Sequence, residues 1–414
     1  MSQENDRQLP DGWQWVKLGD VCEIINGYAF KSSQFTTDGV PVIKMGNISK
    51  DFALKINLNQ QSYIAKNIAN LYQDFYIYPN DLLITLTDMS PSGEYLGTVA
   101  IYNLAKPALL NQRVGKFINL DQEILDNNFL YYTLRSKDFR KYATLDDTGN
   151  LQKNTNPKYL YEYLIPLPPL SEQKRIAAIL NEQMEAVEKA RKATEAQLEA
   201  AKALPAAYLR AVFESEEANS WERRKLGDIA KLERGKFTPR PRNDPRYYGG
   251  DYPWIQTGEV ESANKYITAY NTTLNADGLA VSKLFPKGTL VITIAATIGA
   301  VGILDFDSCM PDSLVGITPY LEASNTDFIY YSLLFIREHL KSIAPQVAQA
   351  NLKLSILQPL EISLPSLAKQ QQIASTLTEQ MQEVERLKQN LKEQLDTINK
   401  LPAVLLRRAF KGEL

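Results

Sequence analysis

One histidine and two cysteines in 414 residues leave little of the usual material for catalysis or metal binding. A zinc site takes about four nitrogen, sulfur or carboxylate ligands, and His339, Cys22 and Cys309 cannot supply a set. The lone histidine lies in the helical stretch Phe335 to Lys341, where it reads as structural. No G-x-x-x-x-G-K-[S/T] loop occurs, which argues against nucleotide hydrolysis by a P-loop. No apolar run reaches the ~18 residues that span a bilayer, and Met1 to Gly12 is polar, so neither a membrane segment nor a signal peptide is read. The cysteines fall at unmatched positions and make no disulfide framework; a reduced, cytoplasmic protein is expected. Nor is there an excess of one charge. Forty-six Lys and Arg against 48 Asp and Glu give a net of −2, unlike a generic nucleic-acid binder. No catalytic residue and no metal ligand is assigned.

What is present is a repeat. Leu167-Pro168-Pro169-Leu170, Gln173, Ile176-Ala177 and Leu180 return as Leu364-Pro365-Ser366-Leu367, Gln370, Ile373-Ala374 and Leu377. The same offset of 197 carries Leu204-Pro205-Ala206, Leu209-Arg210 and Phe213 onto Leu401-Pro402-Ala403, Leu406-Arg407 and Phe410. A segment kept in register without insertion is a helix whose length matters, since each residue adds ~1.5 Å along the axis. Upstream the matches drift, as loops on a shared frame do. Trp13 and Lys17-Leu18-Gly19-Asp20 match Trp221 and Lys225-Leu226-Gly227-Asp228 at 208, Pro41-x-Ile43-x-x-Gly46-x-Ile48 matches Pro253-x-Ile255-x-x-Gly258-x-Val260 at 212, and Phe129-x-Tyr131-Tyr132 matches Phe328-x-Tyr330-Tyr331 at 199.

The division expected is 1–165 for a first module, 166–214 for a long helix, 215–362 for a second module and 363–414 for a second long helix. Within the modules, short β-branched runs (Val40 to Ile43, Asp81 to Leu86, Gly97 to Tyr102, Gly115 to Ile118, and Tyr252 to Gln256, Thr289 to Ile294, Val301 to Leu304) are broken by Gly, Asn, Asp and Pro. They predict a mixed α/β (α+β) fold with a twisted sheet. Phe129 to Tyr142 and Phe328 to Lys341 are each expected as one packing helix with tyrosines in the core. Asn156-Pro157-Lys158-Tyr159 lacks the second proline of the amino-methyltransferase Asn-Pro-Pro-Tyr motif, and no Gly-rich cofactor turn precedes it, so it is read as a turn into the next strand.

In the long helices, Leu180, Gln183, Val187, Ala190, Thr194, Gln197, Ala201, Leu204 and Tyr208 step by three and four, as do Leu377, Gln380, Val384, Leu387, Leu391, Gln394, Ile398, Leu401 and Leu405. That is a coiled-coil seam of about four heptads; two separate amphipathic helices are the alternative. Only a short link joins the first helix to the second module. A parallel pair would require that module to span ~65 Å, about twice its expected diameter. An antiparallel pair with a pseudo-two-fold axis is therefore expected.

Such a body suits duplex DNA, whose half-sites recur on one face about every ten base pairs. Charge supports this locally: Arg223, Arg224, Lys225, Lys231, Arg234, Lys236, Arg240, Arg242 and Arg246 crowd one stretch with Phe237, Tyr247 and Tyr248. It is either a solvated face or a phosphate-tracking loop. Here the order of module and Leu-Pro-Pro-Leu-Ser-Glu-Gln helix, then module and Leu-Pro-Ser-Leu helix, resembles the specificity subunit of type I restriction-modification enzymes, from Trp13 to Leu414. Trp13 to Asp20, Gly46-Asn47-Ile48, Asn111-Gln112-Arg113 and Gly149 to Asn154 are similar to that family's target-recognition domains. The resemblance implies two domains that each read half of a split double-stranded DNA site. It implies helices that set the gap and dock two methyltransferase subunits, with restriction/translocase subunits joining. S-adenosylmethionine, ATP and Mg are then expected on the partner subunits and no cofactor on this chain. Ala368-Lys369-Gln370, where the first half has Ser171-Glu172-Gln173, departs from the pattern in the capping of the second helix.

Positions shared by both halves serve shared tasks, and those that differ are free to read different bases. Base readout is accordingly expected from Lys31, Gln34, Lys44, Asn47, Thr87, Asp88, Ser90 and Arg113, and from Arg234, Lys236, Arg240, Arg242, Gln256, Thr257 and Glu259. Gln152 with Asn154 matches Gln349 with Asn351, and these are expected at the module-to-helix junction or on a phosphate. Pro205 and Pro402 are expected to bend or break their helices. The segments they leave would dock a partner through Leu209, Arg210, Phe213, Leu406, Arg407 and Phe410, the alternative being packing on a module. A non-catalytic structural scaffold with two protein-binding modules fits the architecture nearly as well; an enzyme fits least.

Overall fold

The computed structural model describes residues 9–57, 59–90, 93–145, 153–295, 297–343 and 353–414. Two compact units divide it: residues 1–194 with 393–414, and residues 195–392.

In the first unit β1 (Glu23–Asn26), β2 (Val40–Ile43), β3 (Leu82–Thr85), β4 (Val99–Ile101), β5 (Ala108–Leu110) and β6 (Val114–Ile118) form two sheets. The central one is antiparallel in the order β1-β6-β3-β4, and the outer one pairs β2 with β5 in parallel. Apolar residues facing both sides make β3 wholly buried. Two helices, α1 (Asn127–Leu134) and α2 (Lys137–Ala143), cover the central sheet. The single helix expected over this stretch is in fact two, because Ser136 leaves helical geometry and caps the second through a bond from Phe139 N. Asn156 likewise caps a one-turn helix, Pro157–Leu160, where a plain turn was expected. Then comes α3, Leu170–Phe213, 44 residues long and so about 66 Å.

The second unit repeats this plan. Strands β7 (Ala230–Arg234), β8 (Tyr248–Trp254), β9 (Leu290–Thr293), β10 (Val301–Leu304), β11 (Ser308–Cys309) and β12 (Leu314–Pro319) build a central order β7-β12-β9-β10, with Tyr266–Ile267 added at the edge. Its outer sheet pairs β8 with β11 in parallel. Between β8 and the edge strand lies the short α4, Thr257–Ser262. Helices α5 (Thr326–Phe335) and α6 (Arg337–Ile343) take the places of α1 and α2, and α7 runs Leu367–Ala409.

Neither proline breaks its helix. Pro205 lies inside α3 and Pro402 inside α7. A missing intrahelical bond costs on the order of 3 kcal/mol, and packing beyond each proline offsets it. In the second unit Phe213 stacks 5.1 Å from Phe335 and lies against Trp221 and Phe328. In the first, Phe410 meets Phe129, which meets Trp13. Each unit therefore holds the start of one long helix and the end of the other, in one core. One helix leaves the module where the other arrives, as the connectivity argument requires. Seam positions Leu180, Thr194, Ala201, Leu377, Val384 and Leu391 are buried.

The start of each long helix is tied to its module by the same glutamine. Gln173 accepts from Asp126 N (2.8 Å) and donates to the carbonyls of Ile124 and Pro168, both at 2.8 Å. Gln370 accepts from Asn325 N (2.8 Å) and donates to Ala323 O (3.2 Å) and Pro365 O (2.9 Å). Asp126 and Asn325 are themselves the caps of α1 and α5. About two turns further on, Tyr132 donates to Asn181 and Tyr331 to Thr378, the two acceptors again matched at the 197 offset. The changed capping sequence of the second helix is answered by Ser366, whose hydroxyl accepts from Lys369 N, while Lys369 pairs with Glu217 at 2.9 Å. Among the described residues no helix is long and apolar enough to cross a membrane.

Candidate nucleic-acid interface

Each module carries an aromatic lobe built on its outer sheet. In the first, Tyr28, Phe30, Phe35, Tyr72 and Phe75 pack edge to face and tilted, with Tyr28 and Tyr72 4.5 Å apart. Polar residues are fastened to this lobe. Gln34 accepts from Lys31 N and donates to the Tyr72 hydroxyl, both at 2.8 Å. Lys44 Nζ donates to Ser62 Oγ (2.7 Å) and lies 3.9 Å from the Phe35 ring centre, and burial pulls its pKa below the usual lysine value. The neighbouring turn, residues 111–113, hangs from the same lobe through Asn111 N to Ile43 O and Gln112 N to Tyr28 O. The fold thus fastens Gln34 and Lys44 to this lobe, with Lys31 and Asn47 bonded to them through main-chain N–H groups and the turn that carries Arg113 beside it.

It does not put Thr87, Asp88 and Ser90 there. Thr87 and Asp88 are buried in a two-residue strand paired with Lys153–Asn154. The Asp88 carboxylate accepts from Ser90 N and Tyr95 N, and Thr87 donates to Asn154. Their acceptors shape the loop between β3 and β4, so neither Thr87 nor Asp88 is open to a base edge; a buried carboxylate must spend its lone pairs inside the fold. Asn154 lies in this loop pairing, while Gln152, Gln349, Asn351 and the motif residues 149–152 lie outside the described residues.

Asn47 and Glu259, matched at an offset of 212, also prove to be structural clasps. Asn47 Oδ1 accepts from Lys44 N (2.9 Å) and Glu259 Oε2 from Gln256 N (3.0 Å). Asn47 Nδ2 donates to Lys55 O and Gln61 Oε1, and the other Glu259 oxygen accepts from Asn271. That leaves Lys44 and Gln256, at equivalent places, as the chemically different side chains beside the clasp; Thr257 opens α4 next to it.

In the second module the aromatic lobe is Phe237, Tyr247, Tyr248 and Trp254. The basic stretch is divided by the fold. Arg223 and Arg224 lie on Glu222–Lys225, which pairs with the strand entering α7, and they face Glu361 and Glu222. Lys231 shares Glu233 with Lys283, and these two cations hold the Glu233 carboxyl below its ordinary range. Arg234, Lys236, Arg240, Arg242 and Arg246 border the lobe, Arg246 lying 5.7 Å from the Tyr247 ring centre and pairing with Asp244. Arg240 donates to the Phe237 and Pro239 carbonyls. Arg234 donates to the Asp312 carbonyl and Arg242 pairs with the Asp312 carboxylate. Asp312 was not read from the sequence, because its arginine partners lie 70 and 78 residues away.

The expected docking motif falls at the junctions of helix and module. Leu209 and Leu406 are buried, and Phe213 and Phe410 sit in the aromatic trios of their units. They pack helix ends onto modules, where apolar side chains gain by burial, although Phe213 and Phe410 are half-buried and Leu406 and Phe410 line a cleft. Arg210 and Arg407 remain exposed. Arg407 lines a cleft of about 2420 Å³ in the first unit, with Phe52, Tyr131, Arg135, Asn181 and Lys192, away from the aromatic lobe.

Two repeats of one framework, alike where each meets its helix and different on their polar lobes, define a tandem recognition protein. The family described as type I restriction modification DNA specificity domain matches residues 10–199 and 219–397, and the chain belongs to that family. It is a DNA sequence-specificity subunit of the type I restriction-modification class. The type I restriction enzyme EcoBI specificity subunit of Escherichia coli is 25% identical over 98% of this chain and 87% of its own length. The putative type I restriction enzyme MjaX specificity subunit of Methanocaldococcus jannaschii is 25% identical over 95% and 92%. In fold, the chain is similar to the HsdS subunit from Thermoanaerobacter tengcongensis, with a TM-score of 0.67, 21% identity and full coverage of both chains.

Proposed function

We propose that each module reads one half of a bipartite double-stranded DNA site while the long helices hold the halves at a set spacing. The observation that carries this is the unequal pattern of the repeat. The glutamine clasp, the tyrosine bond and the aromatic trio recur at both junctions, whereas the lobes differ in charge and shape. A junction preserved twice with a surface varied twice is what two different half-sequences at a fixed distance demand. On this reading residues 1–165 and 215–362 are the target-recognition domains, and 166–214 and 363–414 are the spacer and docking helices. Two methyltransferase subunits dock on the helices, Arg210 and Arg407 contributing at equivalent places, and restriction subunits join them. Methylation and cleavage, with their S-adenosylmethionine, ATP and Mg, belong to those partners, inside the cytoplasm. Readout falls to Lys31, Gln34, Lys44 and Arg113 in one half and to Arg234, Lys236, Arg240, Arg242, Gln256 and Thr257 in the other.

Exchange of residues 215–362 for a relative's module tests it. Methylation mapping in cells carrying the methyltransferase should show one half-sequence changed and the other kept. Adding a heptad after Thr194 and after Leu391 lengthens each helix by about 10 Å, at most about three base pairs at ~3.4 Å each. A longer spacer with both halves unchanged is expected. A chain without salt-dependent affinity for duplex DNA in its complex would instead be a protein scaffold.

A further inference from the structure

The turn after β5 and the turn after β11 occupy one framework position. A Cβ on Gly27 would lie 2.3 Å from the Leu110 carbonyl oxygen, and one on Gly235 would lie 2.2 Å from that of Pro311, so in each module the strand after the first turn is pressed against this loop. Leu86 N donates to Arg113 O and Ile294 N to Ser313 O, both at 3.0 Å. Asn111-Gln112-Arg113 and Pro311-Asp312-Ser313 are therefore equivalents.

Their chemistry differs in an instructive way. The first turn carries its own cation, Arg113, whose guanidinium makes no hydrogen bond or ion pair with another described residue. The second turn has no cation and carries Asp312, which draws two arginines from the basic loop. Arg234 Nε donates to its carbonyl oxygen at 2.5 Å, and one terminal nitrogen of Arg242 donates to its carboxylate. The Tyr248 hydroxyl donates to the Arg242 carbonyl, so that residue is held at main chain and side chain alike. Arg242 stays 48% exposed and Asp312 35%. A guanidinium has five N–H donors, and one bond to the carboxylate leaves the others to face outward.

We propose that Asp312 is a positioning residue that presents Arg242 to a guanine of the second half-site, and that Arg113 holds the corresponding place over the first. The inference rests on the DNA-reading function above. A carboxylate beside the guanidinium cancels much of the charge a phosphate would use. It leaves the directed N–H fork, which matches guanine O6 and N7, and it fixes the side chain beforehand so that less rotamer freedom is lost on binding.

The test uses the complete complex with its methyltransferase and reads both methylated sequences and binding to sites altered one base pair at a time. The wild-type second half-site should contain a G·C pair. At that pair, Arg242→Ala should lower discrimination by about 5-fold to 150-fold. Asp312→Ala should relax the same pair, Asp312→Asn should retain most discrimination because its amide oxygen still accepts, and the double variant should match Arg242→Ala. Arg242→Lys should keep the salt dependence but lose the discrimination, since an ammonium has no fork. The first half-site and the thermal midpoint should not move in any of them. A second half-site without guanine, a fully specific Arg242→Lys, or an Asp312→Ala that changes nothing or relaxes both halves equally would overturn the proposal. A wild-type complex that methylates no two-part site would instead overturn the functional reading beneath it.

Discussion

Replacing Gln173 or Gln370 with leucine should destabilise one unit and spare the other. Both side chains are buried, at 0% and 1% exposure, and each serves one backbone N–H and two carbonyls. Leucine fills nearly the same volume, so no cavity forms, but three main-chain groups lose their partner. An unsatisfied buried N–H costs on the order of 2 to 3 kcal/mol and each carbonyl about 1, carbonyls being more tolerant. Burial of the added apolar atoms returns roughly 1 kcal/mol, for a net loss of about 3 kcal/mol. In a unit of about 200 residues each kcal/mol moves the midpoint by about 2 to 4 °C, so a fall of roughly 6 to 12 °C is expected in differential scanning calorimetry. Hydrogen exchange by mass spectrometry should locate it. Peptides covering 124–130 lose protection in Gln173→Leu, and those covering 323–329 in Gln370→Leu. Glutamate at either place keeps the acceptor, loses both donors and buries a charge, so it should be at least as damaging. Midpoints within about 2 °C of wild type for both leucine variants would refute the reasoning, for the glutamines would then be ornaments of the repeat.

Lys265 is buried and joins Asp327 (3.1 Å) to Thr378 of α7 (2.9 Å), so Lys265→Met, which keeps the stem but strands the carboxylate, should lower the second unit's stability by about 1 to 3 kcal/mol and leave the first unit unmoved; an unchanged calorimetric trace would count against it. Burial pushes the Cys22 thiol up to about 12 and also raises Cys309, so neither should react with iodoacetamide at pH 8 until the protein unfolds. Because the folded state holds the Cys22 proton longer, its contribution to stability is complete below the ordinary thiol pKa and fades as pH climbs from about 9 toward 12. Rapid alkylation of the native chain would contradict both statements.

The sequence by itself determined the duplication, the length of both helices and the place where each meets its module. These features are periodic or repeated, and a repeat of Leu-Pro, Gln and Phe at a constant offset needs no coordinates to be seen. It also placed seven of the twelve strands β1 to β12, because β-branched runs between turn residues pair within a sheet wherever the sheet lies, but it missed others such as Ala230–Arg234 and Leu314–Pro319. The reasons for the repeated residues came only from the tertiary structure. Gln173 and Gln370 recur because each closes three backbone bonds, two of them to residues about 50 positions away, and Phe213 and Phe410 recur because each completes an aromatic trio on a module. Local pattern suggested that Pro205 and Pro402 bend or break their helices, and packing kept both helices continuous. The recognition surface was least legible. Asp88, Asn47 and Glu259 look like free polar loop residues in one dimension, yet their acceptors are satisfied within the fold. Asp312, some 70 residues from the arginine it holds, becomes visible only when β11 brings its turn beside the basic loop. Polar side chains find partners by proximity in space, and chain separation carries no record of it.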